Sequence, residues 1–259
     1  MSKDKFQMPN DEVEILGVKV NNVTFNEALD RIEEMVEEGE RRNPNYVVKP
    51  NAEIVTFAQD DPEFKEILNS ASLAPPDGIG LMIASRILRK PLKERVGGPE
   101  LMEAILKLAQ ERGYPVYFFG AKPLVVEKLV EVIKRDYSKV KIAGFHHGYF
   151  ETESELEITE KIKKAEPDIL FVALGFPKQE KWIKSHVRDI NVPLMVAEGG
   201  SFDFLSGKVK RAPVWLQKVG LEWLFRLLSE PRRVKRQLAL PYFVYLVFKD
   251  KFKRYLVRQ

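Results

Sequence analysis

The run Ile169-Leu-Phe-Val-Ala-Leu174 is apolar at every position, and Gly175-Phe-Pro-Lys-Gln-Glu-Lys-Trp-Ile183 follows it directly. A strand with one wet face alternates apolar and polar residues. A strand apolar on both faces is covered on both sides, as in a parallel sheet flanked by helices. The glycine and the polar, helix-forming residues after Leu174 then mark the turn out of the sheet and the start of a covering helix.

The same pattern recurs outward from this point. Short apolar, β-rich runs at Ile15 to Val20, Tyr46 to Val48, Val116 to Phe119, Val140 to Phe145 and Leu194 to Ala197 predict further strands. Helical patterns separate them. Thr24 caps a helix reaching Glu38, with Leu29, Ile32 and Val36 on one face. Pro99 opens a helix that runs to Arg112 and stops at Gly113, and Pro123 opens another to Tyr137. Thr152 to Ala165 and Pro177 to Arg188 complete the set. This alternation predicts a three-layer, Rossmann-like α/β domain with a mostly parallel sheet. In such sheets ligands bind beyond the carboxyl ends of the strands, so the loops there are the places to search.

Composition sets the outer limits. A chain of 259 residues buries roughly 70–75% of its unfolded surface. The chain has no cysteine, which excludes disulfides, zinc–cysteine sites and thiol nucleophiles and suits the cytosol. Residues 1–12 form a polar leader without the apolar core of a signal peptide. Residues 13–220 form the α/β domain, and residues 221–259 stand apart. Between Leu221 and Gln259 lie ten basic and three acidic residues, a net +7 in a chain of net +4. They flank the run Leu238 to Phe248, LALPYFVYLVF. That run is far short of the ~20 residues a spanning helix needs. A basic helical appendage with aromatic and aliphatic interleaving suits an anionic membrane surface, and its apolar surface also predicts self-association. The basic patch alternates with long aliphatic side chains rather than a stacking platform, so no nucleic-acid partner is expected.

Several loops carry residues suited to chemistry. In KPNAE, Lys49 to Glu53, Asn51 caps the next helix or contacts a ligand. In APPDGIG, Ala74 to Gly80, two prolines stiffen the approach to Asp77. Asp77 is either the cap of the following helix or a general base at a cleft. KERVGGPE, Lys93 to Glu100, places Arg95 before a glycine pair at a helix start, a geometry that favours an anion. FFGAKP, Phe118 to Pro123, has the strand–glycine–helix form of a phosphate- or nucleoside-contacting turn, with one glycine instead of the dinucleotide set. Gln179 points into the cleft from the first turn of its helix. In AEGGSFDFLSGKVKRAP, Ala197 to Pro213, a glycine pair follows a strand, Phe202 and Phe204 belong to the core, and Arg211 binds phosphate or pairs with an acid. The three histidines form no recognisable ligand set.

Taken in order, NAEIV, PPDGIG, RVGGPEL, FFGAKP, GFPKQEKW and FDFLSGKVKRAPVWLQKVGLEWLFRLLSEPRR resemble the WecG/TagA/CpsF glycosyltransferases over Val13 to Gln237. Within that family the pattern is most similar to the teichoic-acid member. The resemblance implies inverting transfer of N-acetylmannosamine from a UDP-sugar donor. The acceptor would be N-acetylglucosamine on undecaprenyl diphosphate, at the inner face of the cell membrane. It makes Asp77 the base, and places Asn51, Arg95 and Gln179 in the pocket. Arg226, Arg233 and Arg236 become tail arginines that reach the donor or lipid diphosphate when the tail docks. The family commonly has Thr where this chain has Lys49, so Lys49 either takes over a phosphate contact or alters the pocket. No Asp-x-Asp motif occurs, so metal-independent transfer without a cofactor is expected. Other donors on the same fold, N-acetylmannosaminuronic acid or glucose, and a non-catalytic nucleotide-binding membrane module are the alternatives.

Overall fold

The computed structural model describes residues 12–38, 44–209, 212–213, 225 and 239–256. Arg211, Arg226, Arg233 and Arg236 lie outside the described residues.

The chain opens with an antiparallel hairpin, β1 (Glu12–Ile15) and β2 (Val18–Asn21). The single strand expected over Ile15 to Val20 is therefore corrected to two. Leu16 and Gly17 have φ of 53° and 77°, the pair of positive values a tight two-residue hairpin turn requires. The turn folds Ile15, Val18 and Val20 onto the same side of the core.

The main sheet has five parallel strands: β3 (Asn45–Val47), β4 (Val116–Gly120), β5 (Ile142–His146), β6 (Ile169–Ala173) and β7 (Leu194–Ala197). Their spatial order is β3-β7-β6-β4-β5. Strands β4, β6 and β7 are buried along their whole length, and successive residues feed opposite layers. In β6, Ile169, Phe171 and Ala173 face one apolar cluster while Leu170 and Val172 face the other. This is the two-sided burial that the uninterrupted apolar run demands.

One layer contains α1 (Phe25–Glu37), α5 (Gly98–Arg112), α6 (Pro123–Asp136) and α9 (Ser201–Leu205). The other contains α2 (Ala52–Phe57), α3 (Pro62–Asn69), α4 (Ile79–Ile87), α7 (Glu155–Ala165) and α8 (Lys178–Ile190). The termini behave as their sequences dictate. Thr24 and Glu27 form a reciprocal capping box. Asn51 and Asp61 accept from the N–H groups of Ile54 and Phe64. Gly113 closes α5 in the left-handed region at φ 76°.

The C-terminal helix α10 (Ala239–Leu256) packs against α2 and α4. Phe243 and Val247, four residues apart on one face, are fully buried in the second layer's core. The opposite face carries Tyr242, Tyr245, Phe248 and Phe252, each more than half exposed, with Lys249 and Lys253 exposed beside them.

Connections leave β4 and β6 in opposite directions along the sheet, β4 to its neighbour β5 and β6 toward β7. A crevice opens where they part. There Gly120 sits at φ 129°, and a Cβ on it would lie 2.4 Å from the Ala173 carbonyl carbon and oxygen. Gly120→Ala is expected to destabilise the protein by about 2–4 kcal/mol, from clash and backbone strain together. Denaturant unfolding measures it.

Candidate functional site

The strands deliver their following residues to one cleft of about 840 Å³. Lys49 and Asn51 come after β3, Glu198 to Ser201 after β7, Leu174 to Phe176 after β6, and Ala121 and Lys122 after β4. Asp77 enters from the loop before α4, and Gly98 and Pro99 from the start of α5.

Asp77 is held by main-chain bonds around it. Its own N–H donates to the Pro50 carbonyl at 2.9 Å, and the Val96 N–H donates to the Pro76 carbonyl at 2.8 Å. Two loops thus clamp the stiff Pro75-Pro76 segment beside the end of β3. The expectation that Asp77 caps α4 is overturned. Gly78 occupies the cap position at φ 80°, and Asp77 is among the residues that line the cleft. Asn51 is the cap expected of it. Its Oδ1 accepts from Ile54 N at 3.0 Å, and the residue lines the cleft.

Gln179, in the first turn of α8, is buried and bridges two partners. Its Oε1 accepts from Gly199 N at 3.0 Å and its Nε2 donates to Glu180 Oε1 at 2.9 Å. Arg95 stands apart from this group. It pairs with Glu100 at 3.6 Å and is not among the residues that line the cleft. A Cβ on Gly97 would meet the Glu100 carboxylate and come 3.0 Å from Arg95 Nη1, so the glycine leaves room for this pair.

Lys49 is the larger surprise. Its Nζ lies 2.5 Å from Glu198 Oε2, and the side chains are 7% and 0% exposed. Its ammonium is thus directed to a carboxylate rather than left open for phosphate. Sequence reasoning passed over Glu198 and Glu180, both buried acids lining the cleft. The available signal for Glu198 was its place immediately after an apolar strand, in AEGG. Glu180 sits beside Gln179, in the same first turn.

The cleft lining carries the acids Glu53, Asp77, Glu155, Glu180, Glu198 and Asp203 and the lysines Lys49, Lys122, Lys178 and Lys208; Lys49 pairs with Glu198 and Lys208 with Asp203 at 2.7 Å. Burial pushes the Glu198 carboxyl above its ordinary range; the charge of Lys49 opposes this most, and that of Asp77 adds to it. Burial also raises Glu180, to about 6, against the bond from Gln179. Tyr149, Phe150, Phe176 and Trp182 supply an aromatic wall. Among the described residues, no group of three or more His, Cys, Asp or Glu is arranged to hold a metal ion.

This chain has recognisable relatives. The sequence model of the glycosyl transferase WecG/TagA/CpsF family matches residues 13–256. A Bacillus spizizenii (strain W23) protein is 38% identical over 204 residues, 79% of each chain. A Staphylococcus aureus (strain MW2) protein is 36% identical over 242 residues, 93% of this chain and 94% of its own. Both bear the name N-acetylglucosaminyldiphosphoundecaprenol N-acetyl-beta-D-mannosaminyltransferase.

The raised Glu180 carboxyl makes stability depend on pH. The folded state holds this proton up to about pH 6, against an ordinary value of 4.5. The folded protein therefore loses stability as pH rises through that window. Glu180→Gln, which mimics the protonated acid, is expected to be more stable than wild type by about 2 kcal/mol at pH 8 and equal to it near pH 4. Denaturant titrations at the two pH values check this.

Proposed function

Because the chain belongs to the WecG/TagA/CpsF family of glycosyl transferases, we propose that it is an inverting transferase that moves N-acetylmannosamine from a UDP donor to N-acetylglucosamine on undecaprenyl diphosphate. The product is an early lipid-linked disaccharide for wall teichoic acid or a related surface polymer. One observation carries the reading: relatives of that name align along most of the chain, and in this chain a clamped aspartate, Asp77, lines the cleft at the carboxyl end of the sheet.

The chemistry follows from that placement. Asp77 takes the proton of the acceptor hydroxyl as its oxygen attacks the anomeric carbon. The bond from that carbon to the diphosphate oxygen breaks on the opposite face, and UDP leaves with the electron pair. Attack from the back inverts the centre. The departing diphosphate gathers negative charge, which fixed cations stabilise. Lys122 and Lys178 line the same cleft, as does Lys208 in its pair with Asp203. Arg226, Arg233 and Arg236 add bidentate donors when the tail docks. With no Asp-x-Asp in the chain, these side chains take the place of a metal ion.

The donor sugar is neutral in this reading. A uronate donor calls for a cation beside the sugar, and the cation there, Lys49, is neutralised by Glu198 at 2.5 Å. That contact favours N-acetylmannosamine over its uronic acid.

The lipid acceptor places the enzyme at a membrane. No helix among the described residues is long and apolar enough to cross one. The exposed aromatic face of α10, with its flanking lysines, supports peripheral attachment to an anionic surface.

UDP release from UDP-N-acetylmannosamine, with a soluble lipid-diphosphate N-acetylglucosamine analogue as acceptor, tests the transfer. Asp77→Ala is expected to lower turnover about 10²–10⁴-fold while UDP still binds, and EDTA to leave wild-type turnover unchanged. Acceptor-independent UDP release, or full activity of Asp77→Ala, counts against the reading. For the membrane, the double variant Phe248→Ser, Phe252→Ser is expected to bind anionic vesicles at least tenfold more weakly, since each buried phenyl ring contributes about 1.5–3 kcal/mol. Its unfolding midpoint should stay close to wild type because both rings are exposed. Sedimentation with vesicles measures the first and thermal melting the second.

A further inference from the structure

Gln179 bridges the loops that follow two adjacent strands. Its helix α8 comes after β6, and its main-chain N–H donates to the Gly175 carbonyl at 3.0 Å. Its side chain crosses to the turn after β7, where Oε1 accepts from Gly199 N at 3.0 Å. The two strands pair to their ends, through Val172 with Ala197 and a bond from Glu198 N to the Val172 carbonyl at 2.8 Å. The amide therefore ties the two loops together just beyond the sheet, and both loops line the cleft.

The turn it holds is tight. Gly199 adopts φ 43°, a value that favours glycine, and Ser201 N donates back to the Glu198 carbonyl at 3.0 Å. The Gly199 N–H is thus taken by Gln179 and the Ser201 N–H by Glu198. Gly200 lies between them and lines the cleft. Its N–H is used by neither bond, and the two bonds on either side fix the peptide that carries it.

Glu180 decides which way round the Gln179 amide sits. An ionised carboxylate only accepts, and a backbone N–H only donates. With Gly199 N on one side and Glu180 Oε1 at 2.9 Å on the other, one orientation satisfies both. The flipped amide would set donor against donor at Gly199 and acceptor against acceptor at Glu180. Both side chains are buried, so a lost partner is not replaced by bulk water. Burial raises the Glu180 carboxyl to about 6, so its ionised form opposes folding at neutral pH. An apolar side chain of similar length would not. A buried acid that opposes stability at the edge of a cleft points to a use there.

We propose that Glu180 is a positioning residue for donor binding. It fixes the Gln179 amide, the amide fixes the Gly199–Gly200 turn, and the turn presents the Gly200 N–H to an oxygen of the bound nucleotide-sugar. A main-chain donor held this way orients a ligand without adding charge. This rests on the reading of the cleft as a UDP-sugar site.

The test is calorimetric titration of the full chain with UDP and with UDP-N-acetylmannosamine, alongside thermal melting of each variant. Glu180→Met removes the acceptor and keeps the length of the side chain. It should bind UDP-N-acetylmannosamine weaker by about tenfold or more. Its unfolding midpoint should stay close to wild type, since loss of the buried charge offsets the amide donor left without its partner. A residue that only supports the fold would lower the midpoint and leave the affinity of the folded protein unchanged. Gln179→Glu sets two carboxylates against each other and should weaken binding by a similar factor. The double variant Gln179→Glu, Glu180→Gln restores a donor facing an acceptor with the roles reversed, and should recover affinity to within about threefold of wild type. UDP weakened together with the sugar nucleotide assigns the contacted oxygen to the diphosphate, and UDP unchanged assigns it to the sugar; either supports the proposal. Wild-type affinity for both ligands in Glu180→Met, or a double variant that binds no better than Gln179→Glu, overturns it. Should Glu180→Met fail to fold, the second comparison decides alone. An intact chain that binds the donor and shows this pattern, but transfers no sugar, leaves the inference standing and removes the transferase reading. An intact chain that binds neither ligand removes both.

Discussion

The pairing of β4 with β6 is the constraint on which the rest of the site depends. The two strands run parallel from Val116 with Ile169 to Gly120 with Ala173, and at the last pair a glycine lets one backbone press against the other. From that point the chain departs to opposite sides, and the crevice between the departures is the cleft. Lys49, Asn51, Ala121, Leu174 and Glu198 are placed by strand ends or the turns that follow them, and Asp77 by a loop hydrogen-bonded to one. The floor of the cleft is thus anchored to the sheet that carries it.

The cleft also concentrates unfavourable electrostatics. Glu180 and Glu198 are almost wholly removed from water, each carboxyl is pushed upward by burial, and the charge of Lys49 opposes the shift in both. A protein selected for stability alone would replace these groups with apolar ones of similar volume. Their retention at a concave surface is the usual mark of sites where function and stability oppose each other.

Legibility in the sequence followed the range of the interaction. Two-sided burial of Ile169 to Leu174 and the capping residues at Thr24, Asn51 and Gly113 are local signals, and they placed the sheet and most helix ends. The hairpin was harder, because EILGVKV alternates as one strand does. Only the glycine hinted at the positive φ that Leu16 also adopts. The short helix α3 has its signal in Asp61-Pro62, a cap followed by a first-turn proline, which was not read. Asp77 looked like a cap because caps and bases share a residue type, but the cap position belongs to Gly78. The Lys49–Glu198 contact was out of reach altogether. Its members are separated by most of the chain and meet only because the first strand of the sheet pairs with the last. Resemblance to a family marked Lys49 as unusual, but could not supply its partner.

Gly80, in the first turn of α4, has a meaning beyond its own helix. A side chain there would collide at 2.9 Å with Ala52 Cβ and at 3.0 Å with Leu240 Cδ1. Three helices therefore converge on one point. One begins just after Asn51, one begins just after Asp77, and one is the C-terminal helix with its aromatic outer face. Residues 52, 80 and 240 behave as a single packing unit whose substitutions do not add. The tail and the reactive loops thus share a mechanical joint. Their tolerated sequences are coupled through this one point of contact.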